Sequence, residues 1–95
     1  MPIIGVLHLE LRIEHAESLK DRRNVIRSLK ARLRSRHNVA VAEIGPSDIL
    51  NRALVSAVTI SNDRTFAEKV LQAVEQDAAD VLGGILESSG VEWVE

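Results

Sequence analysis

The hydrophobic pattern of this chain switches between a two-residue and a 3.6-residue period, and it does so twice within 95 residues. Few architectures accept that alternation. In residues 3–13, Gly5, Leu7, Leu9, Leu11 and Ile13 fall on one side, and Ile4, Val6, His8, Glu10 and Arg12 on the other. This is the signature of a long strand with one buried face. A polar joint, His15-Ala16-Glu17, follows. Ser18-Leu19-Lys20-Asp21 then has capping-box spacing, with Ser18 as N-cap and Asp21 at the third helical position. The spacing predicts a helix from Leu19 whose core face is Leu19, Ile26, Leu29 and Leu33, with Val25 at its edge.

The second half repeats the theme. Asn38 to Ile44 reads as a short strand ended by a turn at Gly45-Pro46-Ser47-Asp48. Ala53 to Ile60 is apolar on both faces and suits a central strand, and Ser61-Asn62-Asp63 offers N-caps for a helix beginning near Arg64. That helix should bury Phe66, Ala67, Val70, Val74, Ala78 and Val81 and stop at Gly83-Gly84. Ile85 to Val94 reads as a last strand, with a bulge or bend at Ser88-Ser89-Gly90. Strand, helix, strand, strand, helix, strand with two right-handed crossovers predicts a ferredoxin-like α/β sandwich: a four-stranded antiparallel sheet with both helices on one face. A chain of this length is expected to form one domain over residues 1–95 and to bury roughly 60 to 65% of its unfolded surface.

Composition narrows the class of function. Apolar residues make up 45% and charged residues 27%, which argues against disorder and against a membrane span. The N-terminal Met1-Pro2-Ile3-Ile4-Gly5-Val6 lacks the basic flank and cleavage site of a signal peptide. With no cysteine, disulfide and thiolate chemistry are excluded, and a cytoplasmic location is expected.

Charge is distributed unevenly. Eight of the 12 lysines and arginines lie between Lys20 and Arg36, where Asp21 is the only acid, although the whole chain carries a formal net charge of -2. Lys20, Arg23, Arg27, Lys30 and Arg34 recur at helical spacing within an arc of about 80°. Three readings compete for this stripe: neutralisation by Glu68, Glu75 or Asp80 of the second helix, binding to RNA or another anionic surface, or helix-groove pairing with a protein. Arg22 and Arg36 project toward the apolar side, where such side chains usually snorkel past the core.

No motif for catalysis or for a cofactor accompanies the stripe. His8, Glu10 and Arg12 alternate on the open side of the first strand, and Glu43 and Arg52 flank the middle turn, but no nucleophile or glycine loop joins them. Cross-strand ion pairing accounts for them more simply. His8, His15 and His37 lack metal-ligand spacing. Phe66 is assigned to a helix core and Trp93 is the only other Phe, Trp or Tyr, so base stacking on the open sheet face is disfavoured.

Ser18-Leu19-Lys20-Asp21-Arg22-Arg23, then Asn38-Val39-Ala40-Val41-Ala42-Glu43, Asp48 with Arg52-Ala53, and Ser61 through Asp63 together resemble the bacterial YlxP-like family, a domain of unknown function. The resemblance spans nearly the whole chain. It implies a ferredoxin-like fold and bacterial cytoplasm, and members are often encoded among translation factors, which implies a ribosome-linked role. Leu50 and His37 stand where members commonly carry aromatic residues, and no catalytic residues come with the family.

The expectation is therefore a non-enzymatic protein without a cofactor that binds RNA or a ribosomal particle through Lys20, Arg23, Arg27, Lys30 and Arg34. The alternative is a homodimer paired through the open sheet face at Ile4, Val6 and His8. Exposed Ile4 and Val6 favour that pairing, because an apolar sheet face needs cover.

Overall fold

A computed structural model of the chain describes residues 1–14, 18–45 and 49–94. The elements run β1 (Ile3–Arg12), α1 (Leu19–Arg36), β2 (Ala40–Glu43), β3 (Arg52–Ser61), α2 (Arg64–Leu82), a 3-10 turn (Gly83–Ile85) and β4 (Leu86–Val94). They form a four-stranded antiparallel sheet in the order β2-β3-β1-β4. Leu7, Leu9 and Leu11 of β1, Val55 and Ala57 of β3, Ile26, Leu29 and Leu33 of α1, and Leu71, Val74 and Ala78 of α2 share one buried cluster. Both helices therefore cover the same sheet face, the ferredoxin-like arrangement. The joint at His15-Ala16-Glu17 and the turn residues Pro46-Ser47-Asp48 lie outside the described residues.

The helix starts follow from local chemistry. Ser18 Oγ accepts from the Asp21 N–H at 3.2 Å, and Asp63 Oδ1 accepts from the Thr65 N–H at 3.1 Å, so each N-cap satisfies one of the orphan donors of a first turn. Gly83 ends α2 at φ 55°, a conformation that glycine enters without a Cβ clash.

Three core assignments differ from expectation. Leu19 is 54% exposed, because at 100° per residue it falls between the buried stripe of α1 and the row of cations. Phe66 and Val81 are 55% and 44% exposed, while Ala67, Leu71, Val74, Ala78 and Leu82 are buried. The buried face of α2 is thus rotated by about 50° from the expected one, bringing two leucines into the core in place of Phe66 and Val81. The bulge also sits earlier than expected. Glu10 faces Ser88 and Leu11 faces Leu86, so Glu87 is the extra residue and the strand runs unbroken through Ser88-Ser89-Gly90. One inserted residue lets Leu86 face the core and turns Glu87 outward.

Candidate nucleic-acid interface

The row Lys20, Arg23, Arg27, Lys30 and Arg34 lies on α1 away from α2. All five are exposed except Lys30, which is half-buried. Among the described residues none of the five has a carboxylate within ion-pair distance. Neutralisation by α2 takes a different form from that expected. Glu68 pairs with Arg64 at 3.2 Å, Glu75 accepts from Ser89 at 2.5 Å and Asp80 accepts from Gln76 at 2.9 Å. The α2 acid that reaches α1 is Asp77, and it takes Arg32 at 2.8 Å, Arg36 at 3.2 Å and His37 at 2.9 Å. Those cations occupy the α2-facing side of α1, so the paired and unpaired charges of one helix separate by face.

Asp77 is held firmly by this arrangement. Burial alone would raise its pKa, but hydrogen bonds from His37 and Arg32 and the charges of Arg32 and Arg36 outweigh burial and bring it below the ordinary value. Arg36 is therefore tied to α2 and does not run freely past the core.

Arg22 departs furthest from its sequence reading. It is 4% exposed, and its guanidinium donates to the Glu43 carboxylate at 2.6 Å, to the Ile49 carbonyl at 2.8 Å and to the Arg52 carbonyl at 2.9 Å. The pair joins α1 to β2 and to the segment leading into β3. Because Glu43 faces the helices, it does not belong with His8, Glu10 and Arg12 on the open sheet face.

Next to this pair an open cleft of about 460 Å³ runs between α1 and β2, lined by Leu19, Arg23, Ile26, Arg27, Lys30 and the Arg22–Glu43 pair. Arg22 balances Glu43, so Arg23, Arg27 and Lys30 set the sign of the field in the cleft. Focused by low-dielectric walls, that field attracts anions. Lys20 and Arg34 continue the row beyond either end.

The other side of the sheet is split. Ile4, Val6, Val58, Ile60 and Val94 form an apolar end, with Ile60 59% and Val94 49% exposed. A shallow apolar depression of about 200 Å³ adjoins it beside Val6, Ala40, Ala42, Ile44 and Val58. At the opposite end Glu87 meets Arg52 at 3.4 Å and Arg12 at 3.9 Å, and Ser88 donates to Glu10 at 3.0 Å. Cross-strand pairing thus accounts for Arg12 and Arg52. Between the two ends His8 bridges strands, with Nδ1 2.7 Å from Ser56 Oγ and Nε2 2.9 Å from Glu92 Oε1. Ser56 is only 8% exposed and sits between the ladders to β1 and β2, opposite His8 and Ala42, so among the described residues the backbone N–H groups beside it are in the sheet and not arranged as oxyanion donors.

The open face carries no Phe, Trp or Tyr among the described residues. Trp93 faces the helices over Gly5, with the Arg64 guanidinium 4.1 Å from its ring centroid. No helix among the described residues is long and apolar enough to cross a membrane.

Residues 4–83 match the family model described as "Protein of unknown function (DUF503)". The uncharacterized protein YlxP of Bacillus subtilis (strain 168) is 35% identical over 72 residues, covering 76% of this chain and 78% of the relative. Among solved structures, a dimeric ferredoxin-like protein of unknown function from Thermobifida fusca superposes with a TM-score of 0.50 at 12% identity, over 96% of this chain and 90% of that one.

Proposed function

The chain belongs to the DUF503 family, and from that premise we propose that it is a non-enzymatic, cytoplasmic RNA-binding protein that docks on RNA, free or at the surface of a ribosomal particle, through the basic face of α1. One observation carries the reading: Arg32 and Arg36 are paired with Asp77, whereas among the described residues Lys20, Arg23, Arg27, Lys30 and Arg34 have no carboxylate partner, and Arg23, Arg27 and Lys30 line a cleft. Like charges at i, i+3 and i, i+4 cost a few tenths of a kcal/mol per pair. A polyanion offsets that cost, because each neutralised phosphate releases counterions. Phosphate contacts of this kind set position and affinity and read little sequence.

Replacing Arg23, Arg27 and Lys30 together with Gln tests the reading. RNA affinity should fall by a similar factor for all sequences, and the slope of log affinity against log salt should shrink by roughly 2 to 3. Unchanged affinity would remove the proposal.

A reading of a different class is favoured by the apolar end of the open sheet face: a second copy of the chain pairs there. Three strands of roughly 30 Å and the shorter β2, about 4.8 Å apart, present on the order of 500 Å² per protomer over the whole open face, near the lower limit for a specific dimer. The solved Thermobifida fusca protein of similar fold is itself described as dimeric. The two readings are compatible, because the stripe lies on the helix layer and the open face on the opposite side of the sheet. A dimer of this kind would carry one stripe on each outer surface.

A further inference from the structure

We infer that the cleft between α1 and β2 takes single-stranded RNA, with successive phosphates on Arg23, Arg27 and Lys30 and an unstacked base against Leu19. The inference rests on the RNA reading above and narrows its ligand. Three features carry it.

The first is shape. The cations form one wall of a cleft of about 460 Å³, and the edge strand β2 stands opposite with Glu43. A single strand can lower its backbone into such a space. A duplex is a rigid rod with phosphates on its outside, and it would ride on the rim of the cleft without entering.

The second is apolar surface where charge would be expected. Leu19 is 54% exposed in a wall otherwise made of cations, and buried Ile26 lies behind it. Leu19 contributes little to the core, yet it offers an aliphatic surface beside the row of cations. Flipped or unstacked bases settle on such surfaces because both of their faces are apolar. A duplex keeps its bases stacked and cannot use it.

The third is the neutral floor. A free Glu43 would repel a phosphate backbone, but Arg22 holds it at 2.6 Å. Arg23 to Arg27 and Arg27 to Lys30 are about 6 Å and about 4.5 Å apart along the helix axis. With half-buried Lys30 among the residues that line the cleft, flexible side chains at this spacing can follow neighbouring phosphates of an extended strand.

The test compares a fluorescein-labelled oligouridine with an RNA duplex of equal length by fluorescence anisotropy, using wild type and Leu19→Ala. Because Leu19 is exposed, the variant should keep its circular dichroism spectrum. Wild type should bind the single strand about tenfold or more tighter than the duplex. Leu19→Ala should weaken single-strand binding about threefold to tenfold and leave duplex binding unchanged. Equal affinity for both RNAs, or a Leu19→Ala variant indistinguishable from wild type, would overturn the cleft inference while the RNA reading stood. Failure to bind either RNA would overturn both. Displacement of the oligouridine by poly-glutamate at equal charge concentration would also overturn it and point to an acidic protein surface as the partner.

Discussion

Arg22 donates to Glu43 across 2.6 Å from a position that is only 4% exposed, so a full positive charge sits inside the helix–sheet layer with its counter-ion beside it. The Ile49 and Arg52 carbonyls take further donors of the same guanidinium. Arg22→Ala leaves Glu43 and two carbonyls without that donor, and a broken buried pair costs about 3 to 5 kcal/mol. Urea denaturation should show that loss for Arg22→Ala, and the double replacement Arg22→Met with Glu43→Leu should recover the part due to the stranded Glu43 carboxylate, while the Ile49 and Arg52 carbonyls stay without that donor. A loss below about 1 kcal/mol for the single variant would mean that water satisfies the pair's partners.

Gly5 is the second position that tolerates little. A Cβ built there would lie 2.6 Å from the Trp93 ring and 2.8 Å from the Leu71 methyl. Gly5→Ala should cost about 1 to 3 kcal/mol by overpacking. Trp93→Leu in the same chain should relieve part of it, because the ring is what fills the space. Thermal melts of the two single variants and the double variant form the cycle, and strictly additive losses would disprove the contact.

Long periodic segments make the fold legible in the sequence. The inward leucines of β1, the caps Ser18 and Asp63 and the two-sided apolar β3 all sit where pattern and cap chemistry place them. Periodicity does not set the rotation of a helix to better than about half of one residue's 100° step. Leu19, Phe66 and Val81 therefore read as inward from the pattern, although tertiary packing turns them out. Arg22 was illegible for another reason. Its burial depends on Glu43 and two carbonyls far away in sequence, and only its position on the apolar side of α1 hinted at it. The stripe itself was plain in the sequence. That Asp77 would spare it and neutralise Arg32 and Arg36 depended on the register between two helices.

Asp77 links the helices through His37, Arg32 and Arg36, and its carboxyl titrates below the ordinary value. A carboxyl whose folded pKa is depressed stabilises the fold above its unfolded pKa of about 3.9, and the contribution is lost as pH falls through the lower folded value. Asp77→Asn should therefore cost roughly 1 to 2 kcal/mol at neutral pH. The gap between variant and wild type should close as the solution is acidified below about pH 4. Denaturant midpoints measured from pH 7 down to pH 3 check both parts, and a gap independent of pH would mean that shape and not charge holds Asp77 in place.

Val6 stands on the open sheet face, paired across the ladders with Val58 on one side and Glu92 on the other. Glu92 already receives His8 at 2.9 Å. A carboxylate at position 6 would lie against that acid and inside any surface covered by a second copy, where an unpaired charge costs several kcal/mol. On a bare face it would cost little. Val6→Glu should then convert a dimer to a monomer in sedimentation at tens of micromolar and leave the circular dichroism spectrum unchanged. It should also weaken binding to long RNA, where two linked stripes gain avidity, more than binding to short RNA, where only one engages. A wild-type chain that sediments as a monomer at high micromolar concentration would rule out the paired face, and Ile4, Val6 and Val58 would then lie open to solvent or to a different partner.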